Sequence, residues 1–255
     1  MKIVTYNVRC VWNGDGVNSF MHRAGMVWEK FKKEKPDIVA FQEVTAPIHD
    51  LLEQIMPDYL LLGQFRSANY DGEGLFTAIR RDTLELIGLE TFWLSPTPYV
   101  PGSRYENQSP CPRICVMTMV REKETGKLFR IYNVHLDHVS NEARMEGMEA
   151  VLGQMKLYDE KGTTENVLLG DLNATPETPV IAMPADANRP MTDVTASIPV
   201  SFHNWGKAEH KIDYIFVSDR LAAVWGETGV WDDVKNGIYL SDHYPVFADF
   251  DTAAL

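Results

Sequence analysis

The stretch Val167-Leu168-Leu169-Gly170-Asp171-Leu172-Asn173 decides how this chain is read. An apolar run over 166–170 reads as a buried strand, and it passes directly into an aspartate and an asparagine. Side chains alternate along a strand, so Asp171 and Asn173 share a face. One acidic residue at a strand end is ordinarily a cap or a turn. Here the pattern recurs. Val4-Thr5-Tyr6 runs into Asn7, Ile38-Val39-Ala40-Phe41 into Gln42-Glu43, and Ile131-Tyr132-Asn133-Val134 into His135-Leu136-Asp137. Lys211-Ile212-Asp213 opens another strand, and Ser241-Asp242-His243 precedes Tyr244-Pro245-Val246. Gathering so many carboxylates is unfavourable unless a cation or an imidazolium compensates them. Mg²⁺ takes one or two carboxylates plus water and phosphate oxygens. Glu43 and Asp242, with the amide oxygen of Asn7, meet that need.

Working outward, the chain mixes strands and helices without strict alternation, which predicts sheets covered by helices. Phe20, Ala24, Val27, Trp28 and Phe31 recur at helical spacing and predict a helix over 19–34, stopped before Lys35-Pro36. Pro47 suits the first turn of a second helix, whose buried stripe is Ile48, Leu51, Leu52 and Ile55. Strands are expected over 2–8, 37–42, 75–80, 84–92, 114–121, 128–134, 212–217 and 245–250. Ser140 is the expected N-cap of a third helix over 141–159, ended by Lys161-Gly162. The five prolines of Ser95–Pro112 predict a long ordered loop. No repeat or linker appears, so residues 1–255 are read as one domain.

Composition narrows the function. A net charge of −12 repels polyanions, and no Lys/Arg run is visible to grip a nucleic-acid backbone. Nucleic acid remains a possible partner that the charge does not favour. Cys10, Cys111 and Cys115 are too few for a disulfide framework, and Cys111 and Cys115, which flank Pro112-Arg113-Ile114, lack zinc spacing and are read as reduced thiols in a strand. No apolar run is long enough to span a bilayer, and the start lacks a signal peptide, so a cytoplasmic monomer without membrane insertion is expected. There is no His-Glu-x-x-His, no Gly-x-Ser-x-Gly elbow and no phosphate loop.

The segments Tyr6-Asn7-Val8, Gln42-Glu43-Val44, Asn133 to Asp137, Gly170 to Asn173, Lys211 to Tyr214 and Ser241 to Val246 together resemble the endonuclease/exonuclease/phosphatase superfamily, in its order and across nearly the whole chain. The resemblance implies an α/β (α+β) fold like that of deoxyribonuclease I: a four-layer sandwich of two packed mixed β-sheets flanked by helices. It is strongest to a bacterial subgroup of hydrolases without settled substrates, carried by Thr91 to Pro98, Pro112-Arg113-Ile114-Cys115 and His135-Leu136-Asp137-His138. Two stretches depart from that subgroup: Gly74 stands where an aromatic residue is usual, and Arg104 to Ser109 replaces a Trp-Asp segment.

The resemblance also implies roles. Glu43 is the main metal ligand, with Asn7 close to the metal and Asp242 assisting on that side. Asp171 orients or deprotonates the attacking water, and Asn173 holds a phosphate oxygen. His243 hydrogen-bonds the phosphate while Asp213 fixes its tautomer, and His135 approaches from the opposite side. Arg113 is a phosphate clamp, and Glu73 pairs with His135 as a second dyad and borders the substrate. The cofactor expected is Mg²⁺ or Mn²⁺, and the substrate is a phosphate ester, diester or monoester, of small-molecule or headgroup type. A nuclease is the alternative. A non-catalytic binding module would be expected to lack Glu43, Asp171 or His243, and all three are present. Arg144 reads as a helix-surface salt-bridge residue, His138 as either a rim residue or a flank of the third helix, and Trp93, Trp205 and Trp231 as core, with stacking on a base or sugar ring as the alternative.

Overall fold

A computed structural model describes residues 1–158 and 164–255, so the Lys161-Gly162 helix stop lies outside the described residues. Two six-stranded sheets carry the structure. The first is built from β1 (Lys2–Asn7), β2 (Ile38–Val44), β3 (Tyr59–Phe65), β4 (Gly74–Arg80), β11 (Trp225–Val230) and β14 (Val246–Phe250). The second is built from β5 (Leu84–Trp93), β6 (Ile114–Glu122), β7 (Leu128–His135), β8 (Glu165–Asp171), β9 (Met191–Asp193) and β10 (Asp213–Ser218). A small hairpin, β12 (Val234–Lys235) and β13 (Ile238–Tyr239), stands apart. Strand order is β11-β14-β1-β2-β4-β3 in one sheet and β5-β6-β7-β8-β10-β9 in the other. Both are mixed, with parallel pairs β1/β2 and β7/β8.

The near-continuous apolar runs of β1, β2, β8 and β10 are explained by burial on both faces. One face of each sheet meets the other in a central layer that includes Ile3, Ile38, Ile131, Val167, Leu169 and Ile215. Outside the first sheet lie α1 (Phe20–Glu34) and α2 (Ala46–Ile55), closing over Val4, Tyr6, Val39 and Phe41. Outside the second lies α3 (Asn141–Tyr158), seating Met148, Val151 and Met155 on Tyr132, Leu168 and Tyr214. These are the four layers. Ser140 caps α3 as expected, its Oγ accepting from the Ala143 N–H at 3.1 Å.

The strand β3 was not anticipated. Gly63 interrupts its apolar pattern. The glycine is required, because a Cβ there would lie 2.0 Å from the Leu75 carbonyl of β4. A polar stitch joins the two sheets in the middle of this dry layer. Gln42 Nε2 donates to Asn133 Oδ1 at 2.8 Å, and Asn133 Nδ2 donates to the carbonyls of Phe41 and Phe76. Gln42 is thereby a structural cross-link and not part of the polar cluster beyond the strand ends. Buried amides of this kind favour one register of two packed sheets, since every other register leaves them unpaired.

Candidate active site

The polar strand ends of both sheets meet at one edge of the sandwich. Register explains why. Asn7 pairs with Gln42 across β1/β2, His135 with Asp171 across β7/β8, and Asp213 with Asp171 across β8/β10. Three groups read as separate motifs thus stand on one rung. Two local features aim the side chains. Glu43 sits in a register shift between β2 and β4, with a left-handed φ of 61°, and Asn173 has φ 49°. Non-glycine residues in that conformation are strained, and such strain concentrates at functional sites. Gly170 lets β7 and β8 approach: a Cβ there would lie 1.9 Å from the Val134 carbonyl.

Asn7 connects the sheets at the centre. Its Nδ2 donates to Glu43 Oε1 and to Asp171 Oδ2, each at 3.0 Å. Its Oδ1 accepts the Arg9 N–H at 2.9 Å. The expected amide-oxygen ligand at Asn7 is therefore turned away, and the amide bridges two carboxylates instead. The Cys10 N–H donates to Glu43 Oε2 at 2.9 Å. Burial opposes ionisation of Glu43, but these two donors hold its carboxyl below the usual range. Asp171 behaves oppositely. Burial and the facing Asp213 charge push it up to about 7, against the pull of His243.

His243 Nδ1 meets Asp213 Oδ2 at 2.8 Å, and its Nε2 lies 3.9 Å from Asp171 Oδ2. Burial alone would lower the imidazole. The carboxylates of Asp213, then Asp171, outweigh it and bring His243 up to about 10, so the ring is a cation at neutral pH. Ser201 Oγ accepts the N–H groups of Ile212 and Asp213, both at 3.0 Å, and fixes the start of β10. His135 is driven well below its usual value by burial and by the nearby Arg113 and Arg66 cations, so it is neutral. Its Nε2 is 3.5 Å from Asp171 Oδ2.

Several expectations are corrected here. Glu73 is committed to Arg66 at 2.7 Å, and the carboxylate that His135 reaches is Asp171. The pattern missed Arg66 because it follows the unanticipated β3; the apolar run from Tyr59 to Leu62 was the available signal. Arg144 is buried, not a surface residue, and its Nη1 holds the Asp137 carbonyl at 2.8 Å. Asp137 is a turn residue. Its Oδ2 accepts from Val139 and Ser140, and Ser109 of the 95–112 loop donates to its Oδ1. Cys115 lies in β6 as expected, but Cys111 precedes that strand, in the loop; Cys10 lies beside Glu43 in the loop after β1. Trp93 and Trp231 are buried, whereas Trp205 is half-buried beside a cavity. His138 stands at the rim, its Nδ1 2.9 Å from Arg113 Nη2. One amide N–H of Asn173 is committed to the Leu136 carbonyl at 3.1 Å. Gly74 has no room for the aromatic usual there: a Cβ would lie 2.6 Å from the Gln64 carbonyl.

Arg113 is 3% exposed, and its Nε and Nη1 have no hydrogen-bond partner. It lines a small cleft with Glu43, Arg66, Glu73 and His135. Its Nη2 meets His138 and its Nε lies 3.8 Å from Asp137 Oδ1, so the guanidinium is only partly satisfied and keeps donors that an anion could take. For a cation, ligand atoms of Glu43, His135 and Asp171 lie within 4.8 Å of one another, as do those of Asp171, Asp213 and His243, and those of Cys10, Glu43 and Glu73. Asp242, whose carboxyl is raised by burial and partly by Glu43, stands outside these groups. Carboxylate oxygens in this density, one of them (Asp213 Oδ1) buried without a partner, fit a hard divalent ion. His243 already neutralises the Asp213 side, and two of these three groups contain Glu43, which could hold such an ion.

The model of the Endonuclease/Exonuclease/phosphatase family matches residues 4–243. Among solved structures, an endonuclease/exonuclease/phosphatase protein of Bacteroides vulgatus is 28% identical, with 98% of each chain covered and a TM-score of 0.89. A mannosyl-6-phosphatase of Bacteroides thetaiotaomicron is 24% identical over 98% of each chain, with a TM-score of 0.87. The D. rerio TDP2 solved with a single-strand DNA product is 17% identical over 99% of each chain, at a TM-score of 0.75. These last two show the fold alone. No curated protein matches the chain by sequence.

Proposed function

Because the chain belongs to the endonuclease/exonuclease/phosphatase family, whose members are phosphoester hydrolases, we propose that it is a Mg²⁺- or Mn²⁺-dependent hydrolase of a small phosphate ester, working as one catalytic unit over residues 1–255. The observation that carries this reading is the convergence on Asp171: the Asp213–His243 pair approaches from one side, and the Asn7 amide links it to Glu43 on the other.

In this reading Glu43 holds the ion with help from Asp242. The ion supplies Lewis-acid stabilisation of the developing charge and a more acidic bound water. Asp171, poised near 7, accepts the proton of the attacking water, because a base works best when its pKa is close to the working pH. His243 stays protonated and donates to a phosphoryl oxygen through Nε2, while Asp213 accepts at Nδ1. The remaining amide N–H of Asn173 and the unpaired guanidinium atoms of Arg113 supply further donors. His135, held neutral, adds no charge beside Asp171.

A small substrate is favoured over a polymer. Net charge is −12, and two of the arginines near the site are already paired with carboxylates: Arg9 with Asp15 and Arg66 with Glu73. A nuclease needs cations left over to track a backbone. The test is turnover of p-nitrophenyl phosphate and bis-p-nitrophenyl phosphate with Mg²⁺, Mn²⁺ or EDTA, beside Asp171→Asn and His243→Ala. Metal-dependent turnover that falls by about 10²-fold or more in both variants is expected. Turnover that survives EDTA, or either substitution, overturns the mechanism.

A further inference from the structure

A second cavity, of about 430 Å³, is used by none of these roles. Its walls include Arg9, Trp12, Asn18, Trp205, Lys207 and Tyr239. Arg9 links it to the metal side of the site: its Nη1 lies 3.8 Å from Asp242 Oδ2, and its N–H bonds Asn7. The cavity is thus one residue away from Asp242.

Its aromatic walls are held in place. Trp12 is 62% exposed, yet its ring edge lies against Gly14, where a Cβ would come within 2.8 Å of the indole nitrogen. Trp205 has the guanidinium of Arg23 5.5 Å from its ring centre, and Arg23 is itself buried and bonded to the Val8 carbonyl at 2.8 Å. Tyr239 packs on His203 with ring centres 4.6 Å apart. Three of the wall residues, Arg9, Asn204 and Trp205, have left-handed φ of 59°, 43° and 58°. Such backbone persists only where its surroundings impose it, and ligand clamps are a common place for it. Asn18 Oδ1 is buried and has no hydrogen-bond partner.

We propose that this cavity receives the sugar ring of a phosphorylated carbohydrate, with the phosphate lying between Glu43 and His243; the proposal rests on the phosphoesterase reading above. A sugar ring has apolar C–H faces and a rim of hydroxyls that both donate and accept. The exposed indole of Trp12 and the half-buried indole of Trp205 suit the faces. The ammonium of Lys207, the amide of Asn204 and the Arg9–Asp15 pair suit the rim. The volume falls in the range of small-molecule sites, about 300–1,000 Å³. A cationic headgroup would meet Lys207, and the carboxylate of Asp15 in this lining is already paired with Arg9. A nucleobase can stack on an indole but offers fewer groups to a polar rim.

Two measurements on the full chain test this. The first is calorimetric binding of mannose 6-phosphate, glucose 6-phosphate and AMP to the Asp171→Asn protein in Mg²⁺, with and without Trp12→Ala or Trp205→Ala. The second is the ratio of kcat/KM for the hexose phosphates to that for p-nitrophenyl phosphate in the parent enzyme and the same tryptophan variants. A hexose phosphate should bind more tightly than AMP, and each tryptophan substitution should weaken it, and lower the ratio, by about tenfold, the scale of one aromatic contact. The proposal is overturned if no hexose phosphate binds, if AMP binds more tightly, or if both tryptophan variants stay within about twofold. Binding that depends on the tryptophans without turnover of any ester would sink the hydrolase reading and leave the sugar site standing.

Discussion

Gly170→Ala tests how the strand pair builds the site. The new Cβ would lie 1.9 Å from the Val134 carbonyl, where ordinary contact starts near 3.4 Å, so β7 and β8 must part by about 1.5 Å at that point. The next rung along is His135 beside Asp171. The φ of 145° also lies where L side chains rarely sit, a strain of order 1–3 kcal/mol. Two weakened ladder hydrogen bonds add about 1 kcal/mol each. Forced repacking of a tight interior adds about 1–3 kcal/mol more. The total is about 4–8 kcal/mol, which for a chain of this size is a fall in Tm of roughly 10–30 °C. Moving Asp171 by an ångström or more from Asn7 and His243 should also cost about 10²-fold in turnover. Thermal unfolding followed by circular dichroism reads the first effect. Gly153→Ala is the counterpart: a Cβ at this position in α3 meets nothing within 4 Å, so the variant should gain about 0.5–1 kcal/mol. A Gly170→Ala protein melting within about 3 °C of the parent would refute the close-approach argument.

Asp213→Asn removes the leading upward influence on His243. The folded value of about 10 exceeds the ordinary 6.5, so the pair stabilises the fold fully below about pH 6.5 and loses that contribution as pH rises through 10. The stability gap between parent and variant in urea should be widest near pH 6 and close towards pH 10, and the alkaline limb of the variant's pH–rate profile should move to lower pH. A gap independent of pH would refute the assignment. Asn7→Ala should lower kcat by about 10²–10³-fold with an unchanged circular dichroism spectrum, because the amide that joins Glu43 to Asp171 is gone. Saturating Mg²⁺ or Mn²⁺, at about 100 times Kd, should stabilise EDTA-treated protein by about 2.7 kcal/mol. Glu43→Gln should abolish that gain, and an unchanged metal response in this variant would remove Glu43 from the ligand set.

The sequence alone determined the layers and the chemical inventory. Apolar runs ending in Asn7, Glu43, His135 and Asp171 are local patterns, and a strand's period places their side chains before any partner strand is known. Helix stripes and the Ser140 cap are local for the same reason. Pairing depends on long-range register, and there the sequence was silent. Only the tertiary structure turned the Asn7 amide nitrogen towards Glu43 and Asp171, gave Glu73 to Arg66 instead of His135, and buried Arg144 under Asp137. Only it separated two carboxylates of one site, holding Glu43 low through two donors while burial and Asp213 raise Asp171. A residue's identity fixes which protons it can hold. Burial and the charges that face it decide where those protons leave, and both are set by strands that lie far apart in the chain.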